Sequence, residues 1–203
     1  MVAIITGDLI NSSESDPKIW LKILKKELNA VGKSPAYWEV YRGDSFQLLI
    51  SNPLDALWVA IKIKVALKIM DSLDVRMSIG IGAKEYNAVK ITEANGPAFI
   101  YSGEQFEQLK KEKVNLALKS AWELFDKEMN LYLKLALNIM DNWTTNAAEI
   151  VKLSMENPGK SQKELGKLIG LQQNTVSDRL KRAYYKDIME VIDIYRIKLK
   201  RQL

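Results

Sequence analysis

The chain of 203 residues contains no cysteine and no histidine. The absence of cysteine excludes disulfide bonds, thiolate metal sites and cysteine nucleophiles, and the absence of histidine excludes catalytic triads and metal sites built on imidazole. Any catalysis in this chain would therefore depend on carboxylates, lysines, hydroxyl groups or a metal held by oxygen ligands.

Long apolar runs are also missing. No segment approaches the roughly 18 apolar residues that span a bilayer, and the N-terminal stretch MVAIITGDLI has neither the basic flank nor the small-residue cleavage site of a signal peptide. We therefore expect a cytoplasmic protein with no membrane partner. With 47% hydrophobic and 27% charged residues, the composition predicts a globular protein with one good core and a second, smaller unit.

The basic surplus is small and unevenly distributed. The net charge is +5, and residues 141–203 hold 12 lysines and arginines against 8 acidic residues. Most of the surplus thus lies at the C-terminal end, which is compatible with phosphate binding but does not predict it alone.

The first 120 residues alternate between short apolar runs and helical patterns. Their order, β-α-β-β-α-β, predicts an α+β fold whose first domain is a ferredoxin-like (palm-like), mainly antiparallel sheet with both helices on one face. Residues 83–113 are less clear, with a turn at 93–97, a helix over 103–111, and an edge strand following at 114–118. The predicted strands are 2–6, 37–41, 46–50 and 75–81, and the helices between them are 17–30 and 53–70.

Helical periodicity continues from there to the end of the chain. We therefore divide the chain into a sheet domain (1–120), a connecting helix (121–142) and an all-α domain (143–203).

The all-α domain carries the clearest local motif. The segment Ser161-Gln-Lys-Glu164 is a capping box that begins a short helix. Gly166 permits close helix crossing, Gly170 makes a turn, and Val176 and Leu180 lie on the buried side of the next helix. These features predict a helix-turn-helix, although a helical hairpin that only packs or binds protein is the alternative.

The segments Glu164–Gly166, Ile169–Leu171 and Thr175–Ala183 resemble the DNA-binding ends of sigma factors and response regulators. The resemblance implies that one set of side chains reads base edges in the major groove and another holds phosphates. Asp178 is at odds with this role, because a carboxylate repels phosphate. The implied base-reading residues are Gln172, Gln173, Asn174, Ser177, Asp178 and Lys181, and the phosphate-binding residues are Thr175, Arg179 and Arg182.

After Ala183 we expect the same helix to continue. Its apolar residues Ile188, Ile192, Tyr195 and Leu199 are spaced by four, three and four, which is heptad spacing. Packing against the protein's own core and formation of a homodimer that reads paired half-sites both explain this pattern.

Two Gly-Asp pairs stand out in the sheet domain, Gly7-Asp8 after the first strand and Gly43-Asp44 in the hairpin. Because the first and third strands are antiparallel neighbours in this topology, we expect Asp8 and Asp44 to meet at one edge of the sheet. Paired carboxylates can hold a divalent metal that also binds nucleotide phosphates. Ordinary turn chemistry explains both pairs equally simply.

The segment Arg42-Gly-Asp-Ser-Phe46 resembles the Gly-Gly-Asp-Glu-Phe hairpin in the palm domains of class III nucleotide cyclases and GGDEF-type diguanylate cyclases, and Ser78–Gly82 resembles their following strand. The resemblance implies a domain that binds a nucleotide with a divalent metal. However, the hairpin has one glycine, Ser45 occupies the acidic position, and residues 102–109 lack the Asn and Arg pattern of active cyclases. The sequence therefore favours a sensor over an enzyme.

Taken together, segments along nearly the whole chain resemble the SatD-like family of small bacterial proteins, whose members are usually described as regulators. We therefore predict a DNA-binding transcriptional regulator whose N-terminal domain senses a small effector or dimerises. The alternative is a metal-dependent nucleotide-binding or cyclase-like enzyme. The segments that carry the resemblance are Thr6–Ser12, Tyr41–Leu48, Arg76–Gly82, Gly96–Phe99 with Ser102-Gly103, and Trp143-Thr144.

Overall fold

A computed structural model describes residues 1–70 and 72–203 of the chain. These residues form five β-strands and eight α-helices, which confirms the α+β class. In chain order the elements are β1 (Val2–Ile10), α1 (Pro17–Asn29), β2 (Trp38–Tyr41), β3 (Ser45–Ile50), α2 (Ala56–Lys68), β4 (Asp74–Gly82), α3 (Pro97–Glu112), β5 (Leu116–Lys119), α4 (Glu123–Met140), α5 (Thr145–Glu156), α6 (Gln162–Ile169), α7 (Gln173–Arg182) and α8 (Tyr185–Lys200).

The five strands form one mixed sheet in the order β2-β3-β1-β4-β5. Neighbouring strands are antiparallel from β2 to β4, and β5 pairs with β4 in parallel. The edge strand expected at 114–118 is present as β5. The central strand β1 pairs along its whole length with β4, so residues at its C-terminal end are fixed by two neighbours.

Helices cover both faces of this sheet. Alternation along β1 directs Ala3 and Ile5 towards α1 and α2 and directs Ile4 towards α3. The helix α3 lies so close to β4 that a Cβ on Gly80 would come within 2.1 Å of the Ala98 carbonyl oxygen. The expected placement of two helices on one face therefore describes α1 and α2, and α3 adds a layer on the opposite face.

The start of α3 differs from the sequence expectation of a helix over 103–111. It begins six residues earlier, at Pro97, because proline suits the first turn of a helix and Gly96 supplies the left-handed φ of 141° that precedes it. In this first turn Ala98 and Phe99 pack against the sheet while Ile100 is exposed, so the turn shows no clear apolar periodicity.

The helices α4, α5 and α8 pack directly on the sheet domain, and α6 and α7 are attached through α5 and α8. One buried apolar cluster runs from β1 to α8, and the hydroxyl of the fully buried Tyr195 donates to the Pro53 carbonyl oxygen at 2.6 Å. The heptad-spaced residues Ile188, Ile192, Tyr195 and Leu199 are all buried in this core. Their pattern therefore reflects packing within one chain.

The expectation of one continuous helix after Ala183 is wrong, because α7 and α8 are separate helices. Tyr184 adopts a left-handed conformation, with φ at 51°, and the Trp143 indole donates to the Ala183 carbonyl oxygen at 3.0 Å. This joint changes the chain direction and turns the apolar side of α8 into the core.

A buried ionic cluster joins the sheet domain to the end of α4. The ammonium group of Lys64, on α2, is fully buried and lies 2.7 Å from a carboxylate oxygen of Asp74 and 2.6 Å from one of Asp141. Asn115 donates to Asp141 at 3.0 Å. A second ion pair joins Lys152 of α5 to the buried Glu27 of α1 at 3.4 Å.

None of the helices that the structure describes has both the length and the apolar character that crossing a membrane requires.

Candidate functional site

The unit formed by α5, α6 and α7 begins α6 with the predicted capping box. The Glu164 amide donates to the Ser161 hydroxyl at 3.3 Å, and the Ser161 amide donates to the Glu164 carboxylate at 2.8 Å. The bonds from the Ser161 hydroxyl and amide lower the pKa of the Glu164 carboxyl. Both partners favour the ionised carboxylate, so this helix start is fixed locally.

Two glycines then set the angle between α6 and α7. Gly170 ends α6 in the left-handed region, with φ at 69°. Gly166 is buried under the turn, and a Cβ there would lie 2.3 Å from the Leu171 carbonyl oxygen. Val176 of α7 is fully buried in a small cluster with Ile150 and Leu165. Because the Val176 side of α7 is packed in this cluster, the opposite side of the helix faces solvent.

That solvent side carries most of the residues that the sequence assigned to DNA contact. Gln172, Gln173, Asn174, Thr175, Asp178, Lys181 and Arg182 are exposed. The remaining two assigned residues, Ser177 and Arg179, are half-buried. The guanidinium of Arg179 lies 3.9 Å from the Glu149 carboxylate of α5. Arg179 is therefore partly neutralised, and the cations fully available on this surface are Lys181 and Arg182.

Chemically, this surface offers amides, a hydroxyl and two free cations on one rigid helix. The amides can donate and accept at once, which matches the edge of adenine, and the cations can bind phosphate or guanine. Basic residues in the last turn also interact favourably with the helix dipole, so their presence has a purely structural explanation as well. We define the exposed residues of 172–182 as the α7 surface.

Beside the α7 surface lies a cleft that sequence reasoning missed. Its volume is about 640 Å³, and it is bordered by the end of α5, the start of α6, one side of α7 and the start of α8. Lys160, Tyr184, Tyr185 and Lys186 are among its lining residues. Tyr184, which separates α7 from α8, lines the cleft, and the sequence around it did not predict that break.

The second candidate site is the edge of the sheet where β1 ends and β3 begins. Asp8 is paired opposite Ser45, and the Leu9 amide donates to the Asp44 carbonyl oxygen at 3.2 Å. The sheet thus brings Asp8 and Asp44 to the same edge. The Ser12 hydroxyl donates to the Asp44 carboxylate at 2.7 Å, which is the local turn chemistry that the sequence left open.

Arg76 is the residue of this edge that sequence reasoning did not assign. It is paired opposite Asp8 across β1 and β4, and its guanidinium lies 3.8 Å from the Asp8 carboxylate. The strand register is the signal that would have found it, because an in-register Asp and Arg on adjacent strands lie on one face.

The surroundings of Asp8 disfavour the ionised form of its carboxyl group. Burial raises the pKa of its carboxyl and the nearby Asp44 adds to the rise, against opposing effects of Arg76 and Lys110. Burial also raises the pKa of the Tyr41 hydroxyl beside it. Within the described part of the chain, Asp8 Oδ1 and Arg76 Nε are buried without a hydrogen-bond partner. Unsatisfied buried polar atoms are uncommon in folded proteins, which makes this edge a candidate site.

The donor set fits a metal only in part. Across residues 1–70 and 72–203, no group of three or more acidic residues is arranged to hold a metal ion. Asp8 and Asp44 would supply two oxygen donors, which suits Mg²⁺ when phosphates and water complete its coordination. The guanidinium beside Asp8 opposes a cation there but favours a phosphate.

Comparison with known proteins adds one match. The model of the SatD family matches residues 1–191, a span that contains the whole sheet, the α7 surface and both aspartates. No curated protein and no solved structure is similar to the chain at a significant level.

Proposed function

The chain belongs to the SatD family, and we propose that it is a transcriptional regulator that binds DNA through a helix-turn-helix formed by α6 and α7. The observation that carries the proposal is the α7 surface, where seven of the nine residues assigned to DNA contact are exposed on a helix pinned by Val176. A helix held in this way can enter a major groove without rearrangement.

The geometry of α5 to α7 supports the helix-turn-helix assignment. A short helix, a glycine turn and a second helix packed through Val176 are the parts of that motif, and Gly166 lets the two helices approach closely. The motif would place Gln173 and Asn174 at the base edges, with Thr175 and Arg182 on phosphates.

The sheet domain would act as the sensing or dimerising part. The strand order β2-β3-β1-β4, with β5 added at one edge, supports the assignment of a ferredoxin-like, palm-like sheet. Because α5 packs on α2 and pairs Lys152 with Glu27, a change in the sheet domain would be passed directly to the DNA-binding helices. The route would therefore include this interface as well as the connecting helix α4.

Fluorescence anisotropy with labelled duplex DNA at low and moderate salt tests the proposal. We expect the double variant Lys181→Ala/Arg182→Ala to lose about tenfold or more in affinity and to show a shallower salt dependence, by about one unit of slope for each lost phosphate contact. The double variant Lys200→Ala/Arg201→Ala removes the same charge from exposed positions at the end of α8 and should bind like the wild type.

Two results would contradict DNA binding by this surface. The first is no detectable affinity of the wild type for duplex DNA at low salt. The second is an equal loss in the two double variants, which would show that only net charge matters and that the position of the charges on α7 does not.

A second candidate function is a metal-dependent nucleotide-binding or nucleotide-converting activity at the sheet edge. The buried, unpartnered Asp8 Oδ1 favours it, since Asp8 and Asp44 would hold Mg²⁺ and the guanidinium of Arg76 would face a phosphate. The ion would neutralise phosphate charge, and the chain's own residues would position it.

Its test is Mg²⁺- or Mn²⁺-dependent binding and turnover of ATP and GTP. Asp44→Asn should abolish either effect, whereas Asp193→Asn, a similar change at an exposed position of α8, should not. Absence of both binding and turnover with the wild type would retire this candidate.

A further inference from the structure

The cleft beside the α7 surface has the size and composition of a small-molecule site. At about 640 Å³ it falls within the roughly 300–1,000 Å³ of ligand pockets in general. Apolar side chains, including Leu165 and Leu180, form part of its wall, and polar groups come from four separate helices. Such a mixture is typical of pockets that bury a ring and orient a polar group.

The cleft carries an excess of positive charge. Lys160, Lys181 and Lys186 line it, against one acidic residue, Asp187. Among the residues that the structure describes, none of the three ammonium groups forms an ion pair with a carboxylate. Three free cations around one cavity favour an anionic occupant.

Two adjacent tyrosines supply aromatic surface at the same place. Tyr184 is a bulky residue in the left-handed region and still has half of its surface exposed. Residues with a strained backbone occur more often at functional sites than elsewhere. Tyr185 is half-buried, and burial raises the pKa of its hydroxyl. Its side chain forms part of the wall of the cleft.

We propose that this cleft binds a compact aromatic anion no larger than a nucleoside monophosphate. The tyrosines and the apolar wall would take the ring, and Lys160 and Lys186 would take the anionic group. An occupant would also contact Ser177 and Lys181 of α7. If α7 binds DNA, as proposed above, the occupant and DNA compete for Lys181, and the ligand lowers DNA affinity.

Isothermal titration of the full chain without DNA tests the binding step. The probes are AMP, GMP, CMP and UMP, with adenosine as the ring without the anion, inorganic phosphate as the anion without the ring, and benzoate as an aromatic carboxylate. We expect at least one nucleotide or benzoate to bind, and to bind at least tenfold more tightly than adenosine and phosphate. Binding of a nucleotide and binding of benzoate both support the class of ligand, and they distinguish a phosphate from a carboxylate.

Variants locate the binding. Lys186→Ala and Tyr185→Leu should each weaken binding of the best probe by tenfold or more, whereas Lys167→Ala, on the exposed side of α6 outside the cleft, should leave it unchanged. Far-UV circular dichroism and a melting curve check that each variant is folded. Because Lys186 and Tyr185 are not among the nine residues assigned to DNA, this result does not depend on DNA binding.

The inference is overturned if no probe binds at millimolar concentration, if phosphate or adenosine binds as tightly as the best aromatic anion, or if Lys186→Ala has no effect. DNA binding without binding of any probe removes this inference and leaves the proposed function standing. Binding of a probe by a chain with no affinity for DNA removes the proposed function and leaves this inference standing. If Lys186→Ala weakens DNA binding while no probe binds, the cleft belongs to the DNA interface and the inference falls.

Discussion

The α7 surface and the edge of the sheet around Asp8 are built in opposite ways. The α7 residues are exposed, and the helix that presents them is fixed by signals close to it in sequence, from Ser161 to Val176. Asp8 is half-buried and meets Asp44 and Arg76 only through strand pairing. Exposed residues on a rigid helix contribute little to stability, whereas a half-buried carboxylate with a raised pKa reduces it. Substitutions on α7 should thus change binding alone, and substitutions at Asp8 should change stability too.

The largest effect is expected at the junction that joins the two regions. Lys64→Ala removes a fully buried cation and leaves Asp74 and Asp141 facing each other. Breaking a buried ion pair in this way typically costs about 3–5 kcal/mol. We expect the urea unfolding midpoint to fall strongly in both circular dichroism and tryptophan fluorescence, with a single transition for the whole chain.

Lys68→Ala is the matched control, because Lys68 contacts the same Asp74 at 3.1 Å but is partly exposed. Because its ammonium group keeps some contact with solvent and Lys64 still neutralises Asp74, Lys68→Ala should cost clearly less than Lys64→Ala. Equal losses in both variants, or two separate unfolding transitions, would show that the two regions do not share one folded core.

The next largest loss of stability is expected at Gly166, which supports the α7 surface. Gly166→Ala places a methyl group 2.3 Å from the Leu171 carbonyl oxygen, and such overpacking usually costs about 1–3 kcal/mol. A Cβ on Gly159 meets no described atom within 4 Å, so Gly159→Ala should be nearly neutral. Thermal melting of the two variants compares them directly. A neutral Gly166→Ala would mean that α6 and α7 can separate without loss of stability.

The contrast between the α7 surface and the edge of the sheet also explains which features could be predicted from the sequence. The capping box, the turn at Gly170 and the buried Val176 depend on neighbours within a few residues, so pattern arguments located α6 and α7 closely. Strand order was also predictable, because alternation and the hairpin restrict the possible sheets, and Asp8 and Asp44 do meet at one edge.

The features that were missed depend on long-range packing. Arg76 joins the sheet edge through the β1–β4 register, and the close packing of α3 on β4 depends on Gly80, which has no side chain in the way. At the break between α7 and α8, the indole of Trp143, which is distant in sequence, donates to the Ala183 carbonyl oxygen. Contacts between residues so far apart in sequence cannot be predicted from local propensity, and the cleft beside this break was missed for the same reason.

At the edge of the sheet we expect a smaller effect, which is a gain in stability and not a loss. The pKa of Asp8 is raised above its ordinary value of 3.8, so the folded state favours the protonated carboxyl. The stabilisation by the proton is complete below pH 3.8 and is lost as pH rises through the folded-state pKa. Asp8→Asn should therefore stabilise the protein at pH 7, by up to about 1 kcal/mol or about 2–4 °C in melting temperature.

The pH dependence of this gain is the decisive measurement. The difference between Asp8→Asn and the wild type should shrink as pH falls towards 3.8, because both side chains are then neutral. A stability loss at pH 7, or a gain that does not change with pH, would show that the Asp8–Arg76 pair stabilises the fold and that Asp8 is a structural residue.

The smallest effect is expected on the α7 surface itself, at the one residue that opposes DNA. Asp178 is exposed, so Asp178→Asn should leave the free energy of unfolding within about 0.5 kcal/mol of the wild type. If α7 lies against phosphates, removing this charge should raise DNA affinity about two- to fivefold at low salt, and the gain should fade at high salt as the charges are screened.

Asp193→Asn removes an equal charge from α8 and gives the baseline for net charge alone. A gain in Asp178→Asn beyond that baseline would place α7 at the DNA. Weaker binding in Asp178→Asn would instead give the carboxylate a role in reading a base, since an acidic side chain can accept from the amino group of cytosine.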